Sequence, residues 1–130
     1  MKKIYLLCLM PFFLAFQCEE DNISEDFNTN LVVQNDSSFD LLLESVPNNI
    51  FDLPIGDSQY IEGGSSPDGF LLPSEFENIN NIRIYRRDDD NNLQLVYEQS
   101  PIYDSLWVIN ESTTKDVDHI LIINDDKLDE

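Results

Sequence analysis

Residues 82–98 have the sequence IRIYRRDDDNNLQLVYE, and this stretch decides the fold class. Apolar and polar residues alternate over 82–86 and again over 93–98, which is the two-residue period of a half-buried β-strand. The Asp and Asn residues at 88–92, between the two runs, suit a turn. The segment therefore predicts a β-hairpin, and the residues expected on its core face are Ile82, Ile84, Leu93, Leu95 and Tyr97.

Most of the remaining chain follows the same pattern of short apolar segments separated by Asn, Asp, Ser, Gly and Pro. The further strands predicted in this way are 31–34, 39–44, 58–62, 69–72, 103–109 and 119–123. Residues 35–38 predict a turn that pairs the first two as a hairpin, and residues 63–68 predict a turn. Ser74 and Glu77 match a capping box, which allows one short helical turn. The run 119–123 is apolar on both faces, as in a central strand. Together these signals predict an all-β fold, a small antiparallel β-sandwich or barrel.

Length and charge limit the classes of protein that fit. The chain has 130 residues, enough for one domain, and a net charge of -19 from 26 acidic and 7 basic residues. This charge excludes a general nucleic-acid binder, which needs a basic surface. It also excludes electrostatic attraction to anionic lipid headgroups. Hydrophobic residues make up 42% of the chain, too many for a protein that is disordered throughout.

The N-terminus has the features of an export signal. Lys2 and Lys3 precede the apolar run 4–16, and no carboxylate occurs before residue 19. A membrane-spanning helix needs about 20 apolar residues, so this shorter run predicts a secretory signal instead. The run leads to Cys18.

Residues 1–18 resemble a bacterial lipoprotein signal. In that family the Cys after the apolar run receives a diacylglycerol and becomes the first residue of the mature chain. Leu14 and Ala15 look like the upstream part of the motif, whereas Phe16 and Gln17 differ from the small residues that usually precede the Cys. The resemblance implies lipidation of Cys18, with a conventional signal-peptidase site as the alternative.

Glu19, Glu20 and Asp21 follow Cys18 directly. They resemble the acidic export signal found behind the lipidated Cys of surface lipoproteins of the Bacteroidota. The alternative is a solvated acidic tether, since blocks of like charge are usually solvated. The resemblance implies an outer-membrane lipoprotein in the cell envelope, either surface-exposed or facing the periplasm.

These signals divide the chain into four parts. Residues 1–17 are predicted to be a signal peptide, 18–29 the lipidated Cys with a flexible acidic tether, 30–126 the β-domain and 127–130 a tail. Removal of the signal leaves 5 basic and 26 acidic residues, a mature charge of -21. It also removes Cys8, so that Cys18 would be the sole mature thiol. A single Cys forms no internal disulfide and no thiolate zinc site.

The sequence favours a protein without catalytic activity and without a cofactor. A Ser, Cys or Thr nucleophile usually needs a His as its base, and the single His, His119, stands in an apolar run that predicts a residue at the edge of a strand. With 26 acidic residues, carboxylate pairs carry no information. No catalytic residue is predicted.

Residues 88–92 offer hard oxygen ligands of the kind that calcium binds. Read as a calcium loop from Asp88, Asp90 and Asn92 fit the pattern. Leu93 and Gln99 then replace the Gly and Glu that give the loop its geometry. A solvated hairpin turn is favoured, and no metal ligand is predicted.

Arg83, Tyr85 and Arg87 form the predicted ligand or partner surface. They share the hairpin face opposite Ile82 and Ile84, and with Arg86 they hold three of the five mature cations. The alternative is pairing of the arginines with acids across the sheet. Other aromatic residues available for stacking on a sugar are Tyr60, Tyr103 and Trp107, although a Trp in so small a domain favours the core.

Asp104-Ser105-Leu106 resembles the acceptor motif for O-glycosylation of exported Bacteroidota proteins, which implies a modification site at Ser105. Taken together, the sequence predicts a lipid-anchored, non-enzymatic interaction or structural module of the envelope. The predicted partners are the membrane, through Cys18, and an envelope protein or glycan. The alternative is a glycan- or calcium-binding surface module.

Overall fold

A computed structural model describes residues 26–46 and 49–128. Within these ranges the chain forms eight β-strands and three single-turn 3-10 helices. The strands are β1 Phe27–Asn35, β2 Leu41–Val46, β3 Asn49–Leu53, β4 Ser58–Ser66, β5 Ile82–Arg87, β6 Leu93–Gln99, β7 Val108–Glu111 and β8 Asp116–Ile123. The 3-10 helices are Pro73–Glu75, Asp104–Leu106 and Asp125–Lys127.

The strands form two four-stranded sheets that pack face to face. Sheet A has the order β4-β1-β8-β7, and sheet B has the order β3-β2-β5-β6. Neighbouring strands are antiparallel except for β1 and β8, which run parallel. The predicted all-β fold is therefore confirmed, and of the two predicted architectures it is the sandwich that forms.

The core lies between the two sheets. Along β1 and β8 every second residue is buried, which is the period expected when one face of a strand packs inward. The fully buried apolar residues include Leu31, Val33, Leu121 and Ile123 from sheet A and Leu41, Leu43, Ile82, Ile84 and Val96 from sheet B. Burial of each such side chain contributes about 1.5–3 kcal/mol. β8 lies between β1 and β7, which confirms the predicted central strand, although Ile120 and Ile122 on its outward face are only half-buried.

The hairpin of residues 82–98 is confirmed. Ile82 and Ile84 lie in the core and Tyr97 packs against it, but the predicted core positions of Leu93 and Leu95 in β6 are wrong. Ile84 pairs with Tyr97 and Tyr85 pairs with Leu95, so Val96 is an extra residue in a β-bulge. The bulge turns Val96 into the core and leaves Leu93 and Leu95 each 43% exposed.

The predicted hairpin between the first two strands is wrong, because β1 belongs to sheet A and β2 to sheet B. The turn residues here carry the chain from one sheet to the other. Asn35 is fully buried, and its Nδ2 donates to the carbonyls of Phe39 at 2.8 Å and Leu53 at 2.9 Å. Its Oδ1 accepts from the backbone N–H and the hydroxyl of Ser37. The corner is therefore fixed by hydrogen bonds that a hairpin would not provide.

β4 runs through part of the predicted turn at 63–68, because two glycines allow close contacts on opposite faces of the strand. A Cβ at Gly63 would lie 2.5 Å from the Tyr60 hydroxyl, and a Cβ at Gly64 would lie 2.8 Å from Leu71 Cδ1. The predicted strand at 69–72 is absent. Those residues cross the edge of the sandwich, where the Leu71 N–H donates to the Thr29 hydroxyl at 3.0 Å.

Several boundaries differ from those predicted. β1 begins at Phe27 inside the predicted tether, and Leu128 packs against the core beyond the predicted end at 126. β3 was not predicted. The predicted strand 103–109 divides into the Asp104–Leu106 turn and β7. The predicted short helical turn forms at Pro73–Glu75, but the predicted capping pair of Ser74 and Glu77 is wrong, because Leu72 is the N-cap and its N–H donates to the Glu75 carboxylate at 2.6 Å.

Candidate functional site

The predicted surface of Arg83, Tyr85 and Arg87 lies on the outward face of sheet B. Arg83 Nε donates to Glu98 Oε1 at 2.8 Å, and Arg83 Nη1 lies 3.8 Å from Glu44 Oε2. The Tyr85 hydroxyl donates to the same Glu44 oxygen at 2.8 Å. These contacts match the alternative predicted for the arginines, pairing with acids on neighbouring strands.

This network determines the charge states of its members. The hydrogen bond to Glu98, together with the charge of that carboxylate, raises the pKa of Arg83. Burial, and then the hydrogen bond to Glu44, raises the pKa of Tyr85. The arginine stays charged and the tyrosine stays neutral, so both serve to hold the strands together.

Arg87 lies apart from this network, in what we call the arginine cleft. The cleft has a volume of ≈ 360 Å³ and is lined by Phe39, Asp40, Leu41, Leu42, Asp52, Arg86 and Arg87. Leu42 is almost fully buried, and Phe39 is one of the exposed large apolar residues. The Arg86 guanidinium lies over the Phe39 ring, with Cζ 4.6 Å from its centroid. An apolar surface and two guanidinium groups therefore meet in one depression.

The lining of the arginine cleft has two arginines and two aspartates, so its formal net charge is zero, whereas the whole protein has a net charge of -19. Arg86 and Arg87 face Asp40 and Asp52 across the lining, yet in residues 26–46 and 49–128 neither arginine forms an ion pair. A guanidinium can donate two parallel hydrogen bonds to the oxygens of a carboxylate, and Arg86 already stacks on an aromatic ring. The cleft can thus bind a carboxylate beside an apolar group, where the rest of the surface would repel it.

Among the described residues, the exposed tyrosine rings are Tyr60 at 54% and Tyr103 at 53%, whereas Tyr85 is half-buried. The prediction that Tyr85 would be the exposed ring is therefore wrong, because its hydroxyl is engaged by Glu44. Trp107 is buried in the core, as expected.

The acidic segment 88–92 forms the predicted hairpin turn. The Asp88 carboxylate accepts the Asn92 backbone N–H at 2.7 Å and its side-chain amide at 3.2 Å, and Asn91 has φ 65°. These hydrogen bonds, that of the backbone first, lower the pKa of Asp88. Asp88 thus acts as a turn cap. Among the described residues there is also no group of three His, Cys, Asp or Glu side chains placed to hold a metal ion.

His119 faces the core from the middle of β8 and is only 4% exposed, so the predicted position at the edge of a strand is wrong. Burial lowers its pKa, against the opposing effects of a hydrogen bond to the Leu71 backbone and the nearby charge of Asp104. The His119 ring is thus a neutral core group that ties β8 to the crossing segment at Leu71.

The burial of His119 predicts a loss of stability on mild acidification. In the unfolded chain its pKa is about 6.5, so below that pH the unfolded state binds the proton more readily than the folded state. We expect the melting temperature of the full-length protein to fall more steeply from pH 7 to pH 5 than that of His119→Gln. Parallel melting curves for the two proteins would contradict this assignment. Titration of the acidic residues affects both proteins alike and cancels in the comparison.

Ser105 is exposed in the middle of the Asp104–Leu106 turn. The neighbouring Asp104 carboxylate accepts hydrogen bonds from the backbone N–H and the hydroxyl of Ser74, both at 2.8 Å. The predicted modification site is therefore a hydroxyl on an anchored surface turn.

Cys18 and the acidic residues Glu19, Glu20 and Asp21 lie outside the described residues. In the part of the chain that the structure does describe, there is no helix with the length and apolar character required to cross a membrane. Comparison of the chain with protein-family models, curated proteins and solved structures gave no match.

Proposed function

We propose that the protein is a lipid-anchored component of the cell envelope, and that its β-sandwich is a non-enzymatic module for binding another envelope protein. The anchor is Cys18, and the contact site is the arginine cleft. The observation that carries the binding role is this cleft, where two arginines without ion-pair partners in the described chain adjoin Phe39 and Leu42. Aromatic residues and arginines are the side chains that contribute most often to the affinity of protein interfaces.

The position of Cys18 supports the anchored arrangement. Eight residue steps separate it from Asp26, the first described residue, and an extended chain covers at most about 28 Å in that distance. A lipid on Cys18 would therefore hold the sandwich within about one domain diameter of the bilayer. A partner would then be sought at the membrane surface rather than in bulk solution.

The anchor is tested by metabolic labelling with a fatty-acid probe in cells that express the full-length protein. Cys18→Ala is expected to abolish labelling and to release the protein from the membrane fraction, because no other thiol would remain in the mature chain. Cys8→Ala is the matched control and is expected to leave labelling unchanged, since Cys8 lies in the segment that is removed. Labelling that persists in Cys18→Ala would rule out the anchor.

The contact site is tested by a photo-activated cross-linking amino acid placed at Phe39 in intact cells. We expect one discrete cross-linked product, and we expect Arg86→Glu or Arg87→Glu to reduce it at least tenfold, because each change reverses a charge in the cleft. The same cross-linker at Tyr103, another exposed aromatic position and one outside the cleft, is the control for non-specific capture.

A product that forms equally from position 103, or that survives both charge reversals, would contradict the cleft as the contact site. The lipid-labelling result does not depend on this outcome, so the two parts of the proposal fail separately.

A further inference from the structure

The outward face of sheet A carries a row of apolar side chains across all four strands. The pairing register places Tyr60 opposite Val32, Val32 opposite Ile120, and Ile120 opposite Val108. Tyr60 and Val108 are more than half exposed, and Val32 and Ile120 are partly exposed. With strands about 4.8 Å apart, the row is about 14 Å long.

Polar side chains flank this row on one side. Asn30 Nδ2 donates to Asp118 Oδ1, and Asn28 Nδ2 donates to Asp116 Oδ1, each at 2.9 Å. An open groove of ≈ 440 Å³ runs beside them, lined by Asn28, Asn30, Tyr60, Gly63, Gly64, Ser65 and Asp116. We call this groove together with the apolar row the tyrosine face.

Because Gly63 has no side chain, the Tyr60 ring can pack against the outward face of sheet A. A Cβ at position 63 would come within 2.5 Å of the Tyr60 hydroxyl and 3.0 Å of Asn30 Oδ1. The ring therefore occupies the space above Gly63, next to the Asn30 amide, while 54% of the side chain remains exposed. The result is an aromatic surface placed beside fixed amide and carboxylate groups.

The Asn–Asp pairs keep hydrogen-bonding capacity for a ligand. In each pair the amide uses one of its two N–H groups, and its carbonyl oxygen has no protein partner within the described residues. The second Asp116 oxygen accepts the Thr113 hydroxyl, which holds that carboxylate in place. Each Asn–Asp pair therefore offers a hydrogen-bond donor next to acceptors. This arrangement suits a ligand with hydroxyl groups on neighbouring carbon atoms, because each hydroxyl can both donate and accept.

We propose that the tyrosine face binds a neutral glycan. A pyranose ring has one apolar C–H face and a rim of hydroxyl groups, which match the Tyr60 ring and the Asn–Asp pairs. Asp116 and Asp118 would repel uronic-acid or sulfated glycans, as would the net charge of -19.

The proposal is tested with the full-length protein in detergent on an array of neutral hexose, N-acetylhexosamine, uronic-acid and sulfated oligosaccharides. We expect binding to neutral probes alone. Titration with a bound neutral oligosaccharide is expected to show at least a tenfold weaker affinity for Tyr60→Ala, through loss of the stacking surface. Tyr103→Ala removes an equally exposed ring elsewhere and is expected to bind as the unmodified protein does.

Gly63→Ala provides a second variant that keeps the ring but displaces it. The displaced atom is the end of a flexible side chain and Gly63 has no positive φ, so the fold is expected to tolerate the methyl group while affinity falls severalfold. Circular dichroism and melting curves establish that both variants are folded.

Absence of binding to every neutral probe would overturn the proposal, as would preferential binding of acidic probes or unchanged affinity in both Tyr60→Ala and Gly63→Ala. The assay does not involve Cys18 or the arginine cleft. Its failure would therefore leave the proposed anchor and protein contact intact.

Discussion

Substitution of Asn35 by alanine is expected to lower the free energy of unfolding by about 3–5 kcal/mol. The Asn35 side chain makes four hydrogen bonds from a fully buried position, and it connects the corner between the sheets to Leu53 at the end of β3. Its removal leaves the Leu53 carbonyl and the Ser37 N–H without these partners, while the Phe39 carbonyl still accepts from the Ser37 hydroxyl at 3.2 Å. Each buried unsatisfied group costs about 1–3 kcal/mol. A domain of this size has a total stability of about 5–15 kcal/mol.

Urea unfolding of the full-length protein measures this loss, with Asn110→Ala as the control. Asn110 is an exposed residue of β7, so its replacement is expected to change stability by no more than about 0.5 kcal/mol. Equal effects of the two substitutions would mean that the Asn35 side chain does not hold the corner.

Substitution of Gln99 by methionine is expected to cost about 2–4 kcal/mol. Gln99 is buried at the end of β6, and its Oε1 accepts the Trp107 indole N–H at 3.1 Å and the Tyr103 backbone N–H at 3.0 Å. Its Nε2 donates to the Tyr97 hydroxyl at 2.9 Å. Methionine has a similar length but provides no comparable acceptor, so the indole N–H would be buried without a partner.

The fluorescence of Trp107, the single Trp of the chain, reports this unfolding transition directly. Gln94→Met on the same strand is the matched control, since Gln94 is exposed and its replacement is expected to be almost neutral. If both substitutions shift the urea midpoint equally, the destabilisation comes from methionine in β6 and not from the lost hydrogen bonds.

The sequence was sufficient to predict the fold class because the alternation in β5 and the continuous apolar run in β8 are local signals. It was not sufficient to predict the core face of β6, because the bulge at Val96 depends on how that strand pairs with β5. The crossing between the sheets at Asn35 could not be predicted either. A cluster of Asn, Asp and Ser predicts a change of direction, but it does not reveal whether the chain returns to the same sheet or crosses to the other.

The exposed surfaces were harder to predict, because they depend on contacts between distant residues. Arg83 and Tyr85 shared a face as expected, yet Glu44, about 40 residues earlier, engages both. Gly63 and Gly64 indicated a turn, and the positions of Tyr60 and Leu71 that explain them appear only in the folded chain. In the sequence, the tyrosine face is indicated by Tyr60, an aromatic residue available for stacking, and by the glycine pair Gly63 and Gly64 close to it.

The parallel pairing of β1 with β8 gives the sandwich a defined top and bottom. Asn28 at the start of β1 lies beside Asp116, whereas Asn35 lies beside Ile123 at the opposite end, about 23 Å away. The proposed anchor at Cys18 would join the sandwich at the Phe27 end, because β1 begins there. Phe39, whose carbonyl accepts a hydrogen bond from the Asn35 amide, lies toward the opposite end, so the proposed anchor and the arginine cleft would lie at opposite ends of the sandwich.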